Sequence, residues 1–484
     1  FVSRGLGDVY KRQKKAFVIA AETQKKIKVK ILSKTDDIPW SGYSPLYSID
    51  KIYNKIENYI CIIFVNTRAQ AEQLFQNLWK INKKNLKIAI HHGSLEKKIR
   101  IKVENKMVSG ELNCIIATSS LDLGIDWSNV NLIIQIGAPK GISRLIQRIG
   151  RSNHFVNGEP MAYLVPTNKF EFLECFAAIE AIKENDFENI IKRRGSLDVL
   201  AQHIMGIACS GGFNPKVLFS NIKESWPYRK LSYTTFLEII NFLSTGGYSL
   251  ENYNQFRKLE KDHKGNYKVR KDDFVKQYKM NVGTIVESEM LQVKLKNKTL
   301  GNIEDWFIQK LQTGDTFLFG GEVLILESIK LNIVNVRKTT SKTPKVPRYA
   351  GGKMPLSTEL ASRVIKIINE KIYWRKFPST INHWLKLQNK RSLLPPKNGI
   401  LIEYFHRNKN SMNEIYYLFY TFEGSNANQT LGFIVSKKLE SADIKALGFV
   451  CTDYALAIRV DKEIIDLEKL FDLKNFQKSL FNWL

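Results

Sequence analysis

This sequence of 484 residues has few cysteines and no long apolar run. No stretch approaches the eighteen consecutive apolar residues of a transmembrane helix, and the first residues show no apolar signal-peptide core. The five cysteines form no C-x-x-C pair, and two of them, Cys61 and Cys114, lie within apolar strand-like runs. We therefore expect a cytoplasmic protein with no disulfide bonds, no metal site and no membrane partner.

Acidic residues are scarce, since 47 Asp and Glu stand against 74 Lys and Arg and leave a net charge of +27. Such an excess favours a polyanionic partner, because cations that neutralise phosphates release counterions. Much of the excess is lysine in Lys-, Asn- and Ile-rich sequence, which an AT-rich genome also produces. Charge alone therefore leaves both explanations open. The 44% hydrophobic and 25% charged content is that of ordinary globular domains, and the length predicts about three of them.

The sequence also lacks two motifs that grip nucleotide phosphates and Mg²⁺. It contains neither G-x-x-x-x-G-K-[ST] nor D-E-x-H. A complete nucleotide site of that kind is therefore excluded within this sequence.

Residues 60–166 alternate between apolar runs of strand length and amphipathic stretches of helix length. The runs are 60–65, 86–90, 113–118, 132–137 and 161–165, and the amphipathic stretches are 69–81, 95–108 and 142–151. Residues 26–33 add a further strand. This alternation predicts a parallel sheet covered by helices, with ligands at the carboxyl ends of the strands.

Polar residues follow three of these predicted strands. They are Asn66, Thr67 and Arg68, then His92, Gly93 and Ser94, then Thr118, Ser119 and Ser120. Short hydroxyl and amide groups suit the phosphate oxygens of a nucleic-acid strand, which need donors but no base-specific shape. For Thr67 and Ser94 the alternative is an N-cap of the following helix, and both roles can coexist.

The stretch 142–151 places two arginines on the polar side of an amphipathic helix. Arg148 and Arg151 lie three positions apart, so both guanidinium groups can converge on one polyanion. Taken alone, such a pair is more often a solvated helix face. Together with the Ser-rich turn at 118–120 it predicts a phosphate site.

Four segments carry a resemblance to a known family. ATSSLDLGID (117–126) and QRIGRSNH (147–154) resemble motifs V and VI of superfamily 2 helicases, IIFVNTRAQAEQL (62–74) resembles motif IV, and HHGSL (91–95) the next nucleic-acid-contacting block. Their sequences are similar to those of the Lhr (large helicase-related) group, and within it to those of ligase-associated DEXH-box DNA helicases. The resemblance runs from about Lys26 nearly to the end and includes DIPWSGYS (37–44), which resembles the loop before the second motor domain.

The resemblance implies the C-terminal portion of an ATP-dependent DNA helicase, without the first RecA-like domain. Arg148 and Arg151 would then be arginine fingers on the γ-phosphate, and Gln147 would position water or phosphate. Gly124 and Asp126 would contact the nucleotide or couple it to the strand. The missing domain would bind most of the ATP and Mg²⁺, so this chain alone should bind DNA but hydrolyse no ATP. An RNA helicase and a non-catalytic single-strand-binding module remain as alternatives.

The same resemblance, together with the periodicity, divides the chain into parts. Residues 1–13 look like a foreign extension, and 14–170 would be the second RecA-like domain. Residues 171–275 would be a helical linker and a winged helix with a basic hairpin. Residues 276–484 would be a truncated β-rich α+β domain that contains a barrel or sandwich. His203, on an apolar helix face, is interpreted as a packed core residue.

A basic segment at 337–353 is a further candidate for nucleic-acid binding. It has six basic residues and no acidic ones, and it includes Arg348 and Tyr349. This composition is typical of a groove that follows phosphates and stacks bases on a ring, although a solvated loop is the alternative. In relatives a Trp commonly stands at the position of Tyr349. The expected partners are single-stranded DNA or a tailed duplex and, by resemblance, a DNA ligase and a nuclease in DNA repair.

Overall fold

The computed structural model describes residues 27–32, 38–122, 129–155, 158–188, 195–247, 250, 253–284, 290–341, 343–347, 355–409 and 412–471. The chain forms two compact units, residues 1–188 with 290–484, and residues 189–289. Gly124, Asp126, Arg348 and Tyr349 lie outside the described residues. Within the described part, no helix has the length and apolar character needed to cross a membrane.

The first unit begins with the predicted parallel sheet. Its six strands are β1 Lys28–Ile31, β2 Cys61–Phe64, β3 Ile88–His91, β4 Cys114–Ala117, β5 Leu132–Ile136 and β6 Met161–Val165. All pair in parallel, in the order β1-β6-β5-β2-β4-β3. The central strands β2, β4 and β5 are buried at every position, as strands covered on both faces must be.

Helices connect and cover these strands. They are α1 Ile49–Asn58, α2 Arg68–Lys80, α3 Lys97–Val108, α4 Ile142–Ile149 and α5 Lys169–Glu184. Each predicted amphipathic stretch is therefore a helix, and the predicted RecA-like α/β fold is confirmed.

The second unit is a winged helix, as predicted. It contains α6 Leu197–Cys209, α7 Pro215–Glu224, α8 Tyr233–Thr245, the hairpin strands β7 Leu259–Lys261 and β8 Tyr267–Val269, and α9 Asp272–Met280. The sequence after Asp273 predicts short strands of period two. This prediction is wrong over α9, because Phe274 and Tyr278 pack on the core at helical spacing. The unit ends at 289, whereas the prediction placed a boundary at 275. His203 is exposed, so its interpretation as a core residue is also wrong.

Residues 290–338 return to the first unit as a five-stranded sheet. The elements are β9 Met290–Leu295, β10 Lys298–Glu304, α10 Asp305–Ile308, β11 Thr316–Phe319, β12 Glu322–Lys330 and β13 Ile333–Lys338. The order β10-β9-β13-β12-β11 is antiparallel except between β9 and β13. The sequence NIEDWFIQKL (302–311) predicts a strand throughout. Instead α10 interrupts it, because the consecutive residues Phe307 and Ile308 are both buried, which an alternating strand cannot achieve.

The last part combines helices with a four-stranded antiparallel sheet in the order β14-β15-β17-β16. The elements are α11 Thr358–Asn369, α12 Lys371–Trp374, α13 Ser379–Arg391, β14 Leu401–Lys409, β15 Met412–Tyr420, α14 Ser425–Ser441, β16 Ala446–Cys451, β17 Ala455–Val460 and α15 Leu467–Phe471. The apolar core on one face of the parallel sheet continues into α11–α13. The core on the other face continues into the five-stranded sheet.

Candidate nucleic-acid and nucleotide site

Three predicted segments meet at the carboxyl edge of the parallel sheet. Strands β2, β4 and β3 are neighbours, so the residues that follow them lie side by side. The Arg68 guanidinium donates to Ser94 Oγ at 2.8 Å, and Ser120 Oγ lies 2.8 Å from His91 Nδ1. These bonds join the segments after β2, β3 and β4 into one surface.

Only part of this predicted set faces solvent. Thr67, Gly93 and Ser119 are exposed, whereas Ser94 and Thr118 are buried. His92 is 0% exposed and its Nε2 lies 3.1 Å from Glu72 Oε1. The His92 ring therefore does not reach the surface, and a strand lying on this segment would meet the exposed Gly93.

The predicted N-cap alternative holds for Thr67 but not for Ser94. Thr67 caps α2 in a capping box, in which its side chain accepts from the Gln70 backbone N–H and Gln70 bonds back. Helix α3 begins after Glu96, so Ser94 lies too early to cap it. Ser94 instead accepts the bond from Arg68.

A buried polar network joins α4 to the end of β2. Arg148 Nε donates to Asp122 Oδ1 at 2.8 Å, and Arg148 NH1 donates to Gln135 Oε1 at 2.6 Å. Gln135 Nε2 donates onward to Asn66 Oδ1 at 3.3 Å, and the Asn66 amide donates to the Ala138 carbonyl at 3.0 Å. Both ends of the Asn66 amide are therefore bonded inside the protein.

The two predicted arginine fingers have different surroundings. Arg148 is 4% exposed, its guanidinium lies 4.7 Å from the centre of the Phe64 ring, and burial lowers its pKa against the opposing effect of Asp122. Arg151 is half-buried and donates to the Asp122 carbonyl at 3.1 Å. Gln147 is exposed. Of the predicted residues, Gln147 on α4 and Arg151, two residues beyond the end of α4, can therefore be reached by a ligand, while Arg148 is enclosed.

Sequence reasoning missed the group that caps α4. The Glu188 carboxylate accepts from the backbone N–H groups of Ile142 and Ser143, at 2.7 Å from Ser143 N, and from the Ser143 hydroxyl. These hydrogen bonds lower the pKa of Glu188, although partial burial acts in the opposite direction. Glu188 stands 45 positions beyond Ser143, so no local pattern marked it.

A second missed group, Glu72, holds the His92 segment to the five-stranded sheet. Its carboxylate accepts from the backbone N–H of Gly320 at 2.5 Å and of Gly321 at 2.8 Å, in the turn between β11 and β12. Backbone bonds add a further attachment, because Asn302 N donates to the Ser94 carbonyl at 2.8 Å. The loop after β3 is therefore fixed from outside the parallel sheet.

His91 is held in a similar way on the neighbouring side. Its Nε2 lies 2.8 Å from Glu104 Oε1, and burial lowers the pKa of His91 although Glu104 opposes this shift. Because Ser120 bonds the other ring nitrogen, His91 links the ends of β3 and β4 to α3.

A buried charged cluster lies beyond the end of β5. Lys140 Nζ is 3.1 Å from Asp453 Oδ2 and 3.9 Å from Glu174 Oε1, and the Tyr454 hydroxyl donates to Glu174. Glu174 is 2% exposed, and burial raises its pKa to about 7. The cluster ties the loop after β5 to the four-stranded sheet.

Three family models match the chain in succession. They are the helicase conserved C-terminal domain at residues 46–155, the winged helix domain of large helicase-related protein at 180–346, and the DEAD/H associated model at 394–484.

Relatives carry the same family name. The ATP-dependent helicase Lhr-Core of Methanocaldococcus jannaschii is 29% identical over 96% of this chain and 57% of its own length. The Lhr helicase/probable uracil glycosylase of Mycolicibacterium smegmatis is 27% identical over 57% of this chain and 18% of its own length. The chain thus spans little more than half of the first of these relatives.

A solved structure shares the fold. The Mycobacterium smegmatis helicase Lhr bound to ssDNA and AMP-PNP matches 93% of this chain and 57% of its own, with a TM-score of 0.67 and 20% identity. The narrower placement among ligase-associated DNA helicases stays a prediction. The successive family models and the relatives together show that this chain belongs to the Lhr-type helicase family.

Proposed function

We propose that this chain supplies the second motor domain, winged helix and part of the C-terminal domain of an ATP-driven translocase that unwinds DNA. The observation that carries the proposal is the buried network Asp122–Arg148–Gln135–Asn66. It joins α4, which ends two residues before Arg151, to the strand ends that bear Thr67 and Ser119. A nucleotide contact at Arg151 would thereby be connected to the proposed nucleic-acid surface within one domain.

On the nucleotide side, Arg151 and Gln147 are the groups that fit a triphosphate, because of the three predicted side chains Gln147, Arg148 and Arg151 they are the two that remain accessible. Arg151 would stabilise charge on the γ-phosphate, and Gln147 would orient water or phosphate. Arg148 is a positioning residue, because its guanidinium is enclosed by Asp122 and Gln135. Gly124 and Asp126 keep their predicted nucleotide role.

Mg²⁺ and most phosphate contacts are assigned to a first RecA-like domain. Among the described residues, no group of three or more His, Cys, Asp or Glu side chains could hold a metal ion. The sequence contains no G-x-x-x-x-G-K-[ST] loop either. The first domain would grip the nucleotide, and Arg151 would complete the site from the opposite wall.

On the nucleic-acid side, the strand would lie along the ends of β2, β4 and β3. Thr67, Gly93 and Ser119 face solvent there, with Arg68 beside them. Donors of this kind bind phosphates without reading sequence. The basic segment with Arg348 and Tyr349 would add phosphate and base contacts, and the winged helix would hold the duplex edge.

The test joins this chain to its first RecA-like domain and compares Arg151→Ala with Arg391→Ala, which removes an exposed arginine from the end of α13. Arg151→Ala should lose on the order of 10³-fold or more in Mg-ATP turnover while it keeps DNA affinity, because a finger acts on transition-state charge. Retention of more than a tenth of the wild-type rate would remove Arg151 from the site. The 484-residue chain alone should bind oligonucleotides but release no phosphate.

An RNA helicase of the same superfamily is the second candidate, because phosphate contacts at the strand ends do not distinguish DNA from RNA. The yeast ATP-dependent RNA helicase FAL1 is 33% identical over 26% of this chain. Affinities for matched DNA and RNA strands separate the two, since a protein that selects RNA must contact the 2′-OH. A non-catalytic module would instead leave ATP turnover absent even in the joined protein. Roles with a ligase, a nuclease or DNA repair stay predictions.

A further inference from the structure

A well-anchored loop crosses the carboxyl edge of the parallel sheet next to the residues that we propose contact phosphates. This loop, residues 38–45, contains Trp40 and Tyr43. The Gln70 side-chain amide donates to the Tyr43 carbonyl at 2.9 Å, and Gln70 is also the residue that completes the Thr67 capping box. The backbone of Tyr43 is thereby held beside the first turn of α2.

The other end of the loop is fixed at the end of β6. The Gly42 carbonyl accepts from Thr167 Oγ1 at 3.1 Å and from Asn168 Nδ2 at 3.0 Å, and Lys169 N donates to the Pro39 carbonyl at 3.0 Å. Gly42 has φ +112°, a conformation that other residues rarely adopt. The loop is therefore a rigid bridge between the ends of β6 and β2.

The two aromatic rings on this bridge differ in what surrounds them. Lys169 Nζ lies 3.8 Å from the centre of the Trp40 ring, and Trp384 contacts Trp40 edge-to-face at a centroid distance of 5.9 Å. The Trp40 ring is 62% exposed, but it carries the Lys169 ammonium over its face and contacts Trp384. Tyr43 is 73% exposed, and among the described residues its ring stacks on no other ring. An exposed ring on a fixed backbone loses little entropy when it binds a flat ligand.

We propose that Tyr43 is a stacking platform for one unpaired base of a single-stranded nucleic acid. This inference rests on the proposed function, because it places the phosphates of the same strand along Thr67, Gly93 and Ser119. A strand that passes the end of β2 reaches the Tyr43 loop next, since that loop continues the edge from β2 towards β6. Stacking on an aromatic face accepts any base, which suits a protein that moves along its substrate. The Lys169 ammonium, which lies against the Trp40 ring from the start of α5, adds a positive charge for the passing backbone.

The test measures binding of a labelled poly-dT strand to the full chain and to Tyr43→Ala, Tyr43→Phe and Trp79→Ala. Tyr43→Ala should weaken binding about 5- to 150-fold, which corresponds to about 1–3 kcal/mol for one base stack. Tyr43→Phe keeps the ring and should bind like the wild type. Trp79 is 56% exposed near the opposite end of α2, so Trp79→Ala controls for the loss of an exposed ring and should change nothing.

Two further measurements distinguish stacking from phosphate contact and from misfolding. Tyr43→Ala should leave the slope of log affinity against log salt unchanged, whereas Arg68→Ala should reduce it by roughly 0.7 if Arg68 neutralises one phosphate. A single abasic nucleotide, moved along the strand, should weaken wild-type binding at one position by as much as Tyr43→Ala. At that position it should cause no further loss in the variant. Thermal unfolding of Tyr43→Ala should match the wild type, because the ring is exposed and its backbone anchors remain.

If Tyr43→Ala binds the strand with wild-type affinity while Arg68→Ala binds it more weakly, the platform is overturned and the proposed function stands. Equal losses in Tyr43→Phe and Tyr43→Ala would also overturn it, because the hydroxyl rather than the ring would then be responsible. No binding by the wild-type chain would overturn the proposed nucleic-acid surface itself.

Discussion

Replacement of Glu72 by alanine should test how the His92 segment is held. The Glu72 carboxylate is 0% exposed and accepts two backbone N–H groups, at 2.5 Å from Gly320 and 2.8 Å from Gly321, beside the His92 ring. Alanine removes the acceptor but leaves the donors in place. The change therefore costs the hydrogen bonds and also leaves polar groups unsatisfied.

The size of the loss follows from these contacts. A hydrogen bond to a charged group contributes about 1.5–3 kcal/mol, and a buried donor left without a partner costs about 1–3 kcal/mol. These values do not simply add, because the half-buried glycines can recover water. We expect Glu72→Ala to lower the free energy of unfolding by about 3–5 kcal/mol, close to the sum of two hydrogen bonds to a carboxylate. Glu72→Gln keeps one acceptor oxygen and should lose about half as much.

Urea denaturation of the three proteins provides the measurement, and amide hydrogen exchange at Gly320 and Gly321 shows whether the loss is local. Glu57→Ala is the matched control, because Glu57 pairs with the exposed Lys84 at 3.0 Å and should contribute less than about 1 kcal/mol. If Glu72→Ala loses no more than Glu57→Ala, the carboxylate does not hold the two parts together, and the reasoning is refuted.

Two further outcomes concern other groups. Burial raises the pKa of Glu174 from 4.5 to about 7, so the folded protein binds a proton that the unfolded chain releases, and stability should fall as pH rises between those values. Glu174→Gln should match the wild type near pH 4 and exceed it by on the order of 3 kcal/mol at pH 8, while parallel denaturation profiles would contradict this. Tyr349→Ala should weaken single-stranded DNA binding by about 1–3 kcal/mol, and Tyr349→Trp should be neutral or better. Equal affinities in all three proteins would assign the Tyr349 ring to packing or solvent.

The parallel sheet was predictable because its signal is local. Every residue of β2 and β4 is apolar and buried, and β2, β3, β5 and β6 are each followed by a helix at a short distance along the chain. The positions of the predicted polar segments at the carboxyl edge follow from that topology alone. For this reason the segments that contain Arg68, Ser94 and Ser120 lie side by side at that edge.

Helix α14 was not predicted because its sequence is locally ambiguous. Its first turn, Ser425–Gln429, has few strong helix formers, and Gly432 lies in its middle. The structure explains this glycine. A Cβ at position 432 would lie 2.5 Å from the Phe449 ring, so the helix approaches β16 more closely than any other residue would allow. A favourable tertiary contact outweighs the weak propensity.

The roles of charged residues were the least predictable, because their partners are distant in sequence. The sequence neighbours of Glu72 are those of a solvated helix residue. Its hydrogen-bond partner Gly320, however, is 248 positions away. The sequence predicts that Arg148 and Arg151 act together because they lie three positions apart in the stretch 142–151. What separates them is Asp122, which accepts from Arg148 through its carboxylate and from Arg151 through its carbonyl. No spacing rule encodes that difference.

The position of Asp122 has a mechanical consequence for the proposed motor. Its carboxylate could release Arg148 only by leaving a guanidinium buried without its charged partner, which costs several kcal/mol. Arg148 is bonded in turn to Gln135 on the central strand β5, and Gln135 to Asn66 at the end of β2. A force applied at Arg151 would therefore displace α4 together with these strand ends, because separate motion would break the network. We expect the end of β2, with the residues that we propose contact phosphates, to move as one body with α4.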